Sequence, residues 1–225
     1  MSRATAHSNK HLPLALLFVA LLLTWTYGNA QDSDEGKSNF RLHWAKSSET
    51  DLATVVVGDY DPSPESNYII TADWGRKFSD TLFTLPIEMT ANVGVQYLAE
   101  RGYQPDGWGA TAYIKAHYNL RLPFTQKHLR LGLGEGLSYV TRVPMSEQRD
   151  FAKKGVESEK LMNYVEWTMD LPLRQFDTFA PLFEGTGIKE AYLGYMVWHR
   201  SSVFGLFADD KGGVNFMGFG FELRY

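Results

Sequence analysis

The sequence predicts an all-β chain: an eight-stranded antiparallel outer-membrane β-barrel that follows a cleaved signal peptide. Three observations carry this. From residue 68 onward, segments of ten or more residues alternate apolar and polar side chains, the period-2 signature of a strand with two different faces. The last of these, from Asn215 to Tyr225, is strongly aromatic on one face and ends the sequence. After the first thirty residues no stretch is apolar and long enough to cross a bilayer as a helix, which takes about 20 residues. The mean hydropathy of −0.27 fits a barrel as well as a soluble protein, because half of each barrel strand is polar. Aromatic residues make up 14 % of the chain, with 12 tyrosines, which suits girdles at two membrane interfaces.

Residues 1–30 read as a signal peptide: a polar start with Arg3 and Lys10, an apolar run over 12–23, and Gly28-Asn29-Ala30 as a cleavage site. Residues 31–225 then form a single barrel domain. There is no cysteine, so lipoprotein anchors and disulfides are excluded. Residues 39–45 and 52–58 compete for the first strand; the β-branched run 52–58 is the choice made here, followed by a Pro- and acid-rich loop at 59–67. Tyr68, Ile70, Ala72 and Trp74 begin the second strand, with a turn over GRKFSD. The third presents Phe83 to Tyr97 on its apolar face, and the fourth Trp108 to Leu120. The fifth alternates leucine with glycine from Leu129 to Leu137, the sixth runs from 161 to 171, and the last two form a C-terminal hairpin. Residues 144–159 make a long polar loop, and 176–183 a helical turn in the connection before the hairpin.

Alternation sends Asp73, Glu88, Lys115, His117, Arg121, Glu166 and Asp170 inward. Eight strands leave an interior only wide enough for side chains, so these charges are expected to pair and plug it. A small-solute channel is disfavoured for that reason. Glu135 breaks the pattern: strict alternation places it outside among leucines, and its flanking glycines suggest a bulge that turns it inward. The net charge of −4 argues against nucleic acid as a partner. The histidines show no metal-ligand spacing, and no cofactor site is read.

His199 and Ser201 lie two apart on one strand, about 7 Å along the backbone and on one face. An imidazole so placed can take a serine hydroxyl proton and make it a nucleophile, provided a third group orients the ring. Asn215 on the adjoining strand, or Asp209 and Asp210 in the loop, can do so. Arg200 and Lys211 near the same rim are candidates to meet lipid phosphates.

The C-terminal hairpin, His199-Arg200-Ser201 followed by Gly212-Gly213-Val214-Asn215, resembles that of the PagL-like lipid A deacylases, over about thirty residues. The resemblance implies an outer-membrane esterase that removes an ester-linked acyl chain from lipopolysaccharide. Ser201 would be the nucleophile, His199 the base and Asn215 the orienting group. Lipid A and outer-membrane lipids would be its partners, and a homodimer is left open. The chain departs from the family at Asn215, where the family has a glutamate: an asparagine can orient a histidine but adds no charge. A barrel without enzymatic activity, structural or partner-binding, is the alternative.

Overall fold

Eight antiparallel strands close on themselves in chain order in the computed structural model, which describes residues 36–202 and 213–225. The strands are β1 (Ser38–Ser48), β2 (Tyr68–Ser79), β3 (Ile87–Ala99), β4 (Gly107–Arg121), β5 (His128–Val140), β6 (Leu161–Pro172), β7 (Glu190–Ser201) and β8 (Gly213–Arg224). β1 pairs with β8, Asn39 opposite Arg224 and Ser48 opposite Asn215, and this seam leaves the sheet without an edge. One end of the barrel carries the connections 49–67, 100–106 and 141–160; the other carries 80–86, 122–127 and 173–189. The signal-peptide segment lies outside the described residues.

Several sequence expectations change. The first strand is the run around 39–45, not 52–58. Residues 38–48 alternate over their whole length, with Asn39, Arg41, His43, Ala45 and Ser47 buried inside. Residues 52–58 instead begin with a short helix, α1 (Leu52–Val55). Leu52, Val55 and Val56 sit at helical i, i+3, i+4 spacing and cover Val197 and Met217 on the outer wall of β7 and β8. The run is too short for alternation to separate the two structures. GRKFS continues β2, and the turn falls at 80–86, so β3 starts at Ile87 rather than Phe83. The loop after β5 contains α2 (Met145–Lys153), and the connection before β7 contains the expected helical turn, a 3₁₀-helix at Asp177–Leu182.

The interior has two layers. Towards the 80–86 end, polar and charged side chains neutralise one another. Arg41 Nη1 lies 2.6 Å from Glu166 Oε1, which Lys115 also contacts. Arg130 Nη2 lies 2.7 Å from Asp170 Oδ2 and 2.6 Å from Glu222 Oε2. Arg224 bridges Glu222 and Glu88. Charges this deep persist only when paired. The paired interior agrees with expectation for Glu88, Lys115, Glu166 and Asp170; among the described residues Asp73 and His117 are buried but meet hydroxyls, of Tyr113 and Thr90, rather than an opposite charge, and Arg121 is exposed at the end of β4. Above this layer, Tyr113, Tyr164, Trp198 and Phe216 pack with Ile69, Leu98 and Val140 into an apolar plug. α2 caps it: Glu147 pairs with Arg200 at 2.9 Å, both fully buried.

Candidate active site

The site is built by register. Moving across the outer wall, Glu135 on β5 stands opposite Val165 on β6, Val165 opposite His199 on β7, and His199 opposite Asn215 on β8. One row nearer the loops, Asn163 stands opposite Ser201, and Ser201 opposite Gly213. All of these line one cavity of about 780 Å³. Residues 48–52 form one side of it, and Arg149, Asp150, Lys153 and Lys154 of α2 and its end form the roof.

His199 Nδ1 lies 2.7 Å from Asn215 Oδ1. Asn215 Nδ2 donates to the Thr50 carbonyl at 2.7 Å. A carbonyl can only accept, so the amide nitrogen must face Thr50 and the amide oxygen must face the ring. His199 Nδ1 therefore carries the hydrogen, and Nε2 is left as the basic nitrogen of the neutral ring. Thr50 is itself held, since its Oγ1 accepts from Asp61 N at 2.9 Å and its amide donates to Ser48 Oγ.

Gly213 sets where the ring lies. A Cβ placed there would come 2.8 Å from His199 Cε1 and 3.3 Å from Nε2, so the imidazole edge overlies this glycine. Since Gly213 is the cross-strand partner of Ser201, the ring leans towards the serine row. Among the described residues no hydrogen bond joins Ser201 to His199; the two face the same cavity one row apart. The structure thus brings together all three residues singled out from the sequence. Asp209, Asp210 and Lys211 lie outside the described residues.

Two readings of single residues are corrected. Arg200 does not face the rim: alternation turns it inward, where Glu147, Ser138 and the carbonyls of Glu159 and Lys160 surround its guanidinium. Glu135 does not turn inward. β5 pairs without a register break on either side, so no bulge forms, and the carboxylate stays exposed on the outer wall, hydrogen-bonded to Asn163. Its signal in the sequence was the break in the leucine stripe. Thr50 acts through its carbonyl and left no signal at all.

The roof is tied to the rest of the loop end. Arg149 holds Glu65 through Nε at 2.6 Å and also contacts Glu49, while Asp150 Oδ2 accepts from Gly213 N at 3.3 Å. Burial pushes the Glu65 carboxyl up, but the hydrogen bonds from Arg149 and its charge outweigh this and hold it below the usual carboxylate range.

No family model matches the chain, and no curated protein matches it.

Proposed function

We propose that this chain is an outer-membrane esterase, delivered by a cleaved signal peptide, that releases an ester-linked acyl chain from the lipid A part of lipopolysaccharide. The membrane placement is supported by an inverted distribution of side chains. The outer wall exposes Trp44, Trp74, Val95, Leu133, Leu193 and Phe219, while Arg41, Lys115, Arg130 and Glu166 are sealed inside. A water-soluble protein of this size would not leave so large an apolar belt uncovered, whereas a strand crossing lipid requires it.

The esterase reading rests on one observation: His199, with its tautomer fixed through Asn215 and Thr50, shares an outer-wall cavity with Ser201. His199 Nε2 would take the Ser201 hydroxyl proton as Oγ attacks the ester carbonyl, forming a tetrahedral intermediate. Its collapse expels the alcohol, to which the imidazolium returns the proton. Water, activated by the same nitrogen, then hydrolyses the acyl-serine. Asn215 orients the imidazolium without countering its charge, so the site is expected to be slower than one with a carboxylate in that place. A cavity on the outer wall suits a substrate whose acyl chains already lie beside the barrel.

The test is mass spectrometry of lipid A after incubation with the refolded protein in detergent, beside Ser201→Ala. Loss of one acyl chain with the native protein alone is the expected result. Equal release by both would remove Ser201 from the mechanism, and no release by either folded protein would sink the esterase reading.

A further inference from the structure

Glu135 is a carboxylate on a wall of leucines. Its outward neighbours on β5 are Leu129, Leu131, Leu133 and Leu137, and Leu133 is more than half exposed. Among the described residues no ion pair involves it, and its hydrogen-bond partner is the uncharged amide of Asn163. A carboxylate set against lipid is costly wherever nothing polar meets it. Its position explains the exception. Glu135 shares a row with His199, with only Val165 between them, which places the two about 10 Å apart across two strand spacings. Asn163, which holds it, is the direct cross-strand partner of Ser201. Glu135, Asn163, His199 and Ser201 all line the same cavity.

We propose that Glu135, oriented by Asn163, is the headgroup-recognition residue of this cavity: it accepts hydrogen bonds from the hydroxyl or amide N–H donors of a sugar-headed lipid and so fixes which lipid presents its ester to Ser201. An ionised carboxylate only accepts, so it selects for donors. Polyhydroxylated or acylamino sugar headgroups carry several donors within about 10 Å of their ester bonds, and simple phosphodiester headgroups without hydroxyls carry none. Val165 leaves the space between the carboxylate and the imidazole unobstructed by a large side chain. The proposal deepens the esterase reading, but headgroup binding does not depend on turnover.

Binding is therefore measured apart from catalysis, on the Ser201→Ala background. Lipopolysaccharide in lauryldimethylamine oxide micelles, which carry no sugar hydroxyls, is titrated against the folded barrel, followed by tryptophan fluorescence, with phosphatidylcholine as the donor-free phosphodiester comparison. Glu135→Leu is expected to weaken lipopolysaccharide binding about tenfold, as loss of a hydrogen bond to a charged group does, and to leave phosphatidylcholine binding as it was. Glu135→Gln, which keeps an acceptor oxygen, should recover part of the loss. Glu184→Leu, at the opposite end of the barrel, serves as the surface-charge control. Unchanged lipopolysaccharide binding by Glu135→Leu, or an equal fall for both lipids, overturns the proposal. Weakened binding in a protein that releases no acyl chain would uphold it and reject the esterase reading instead.

Discussion

Two histidine–hydroxyl neighbourhoods lie on opposite faces of the same sheet. On the inner face His117 Nε2 lies 3.2 Å from Thr90 Oγ1, with both residues buried. On the outer face His199 and Ser201 share a cavity without a direct hydrogen bond. By distance alone the inner pair would look the better catalyst. Among the described residues it is shut off from solvent: His117 and Thr90 are buried, Lys115 and Arg130 fill the bore around them, and the apolar plug closes one end. The outer pair lacks the contact but has an entrance, a fixed tautomer and a row of polar neighbours. A single step along a strand, one side chain in and the next out, decides which of two similar pairs opens onto a cavity.

The comparison breaks first at the two hydroxyls. Ser201→Ala should lower acyl release by about 10⁴-fold or more, the scale seen when a serine nucleophile is removed. Thr90→Ala should leave turnover within about twofold of the native rate; parity between the two in a lipid A release assay would erase the distinction. Next, the inner face should be the one that carries stability. Glu222→Ala leaves Arg130, Arg41 and Arg224 facing one another and should cost about 3–5 kcal/mol in urea unfolding of the refolded barrel. Asn215→Ala on the outer wall should cost less than half of that. A smaller effect sharpens the geometry: Gly213→Ala pushes a methyl against the Arg200 carbonyl oxygen and the His199 ring edge, so it should lower kcat about 10²-fold in the lipid A release assay and also lower the stability of the β7–β8 rim.

The smallest expected effect concerns pH. Glu65 is held below its ordinary value in the folded protein, so its bond to Arg149 contributes stability above the unfolded carboxylate range. That contribution is lost as pH falls through the folded value. Amide protection factors in α2, exchange rates taken relative to the intrinsic rate at each pH, should therefore be high near neutrality and lower in acid, and Glu65→Gln should flatten this dependence. Acid-independent protection in the native chain would detach α2 from this ion pair.

Much of the barrel was legible because a closed barrel with a polar interior and an apolar outer wall forces alternation over whole strands, and β3 to β8 obey it. The first strand was misread because 52–58 carry the same β-branched residues that strands favour, whereas residues 38–48 carry the alternation and the pairing with both β2 and β8. His199, Ser201 and Asn215 could be seen to share a face, since period and adjacency suffice for that. The tautomer could not, because it depends on a loop carbonyl 165 residues away from Asn215. Glu135 was visible as an exception but assigned the wrong cause. Flanking glycines suggested a bulge, whereas Gly134 stands beside the Tyr113 ring in the lumen and leaves the strand regular.

Directly behind His199 and Asn215, their sequence neighbours Trp198 and Phe216 point inward, their rings 5.2 Å apart and nearly perpendicular. Both are completely buried, and Tyr164 and Tyr113 continue the stack across the bore. The two strands that carry the site are thus mounted on a filled cylinder, like a die on an anvil. Such a close-packed backing does not yield to a change of shape in the cavity. Accommodation has to come from the opposite jaw, residues 48–52 with α1, which touch the wall through Thr50, Val55 and a few apolar contacts. Under the proposed esterase activity, substrate range is therefore set on that jaw, while the strands behind the histidine stay fixed by their packed backing.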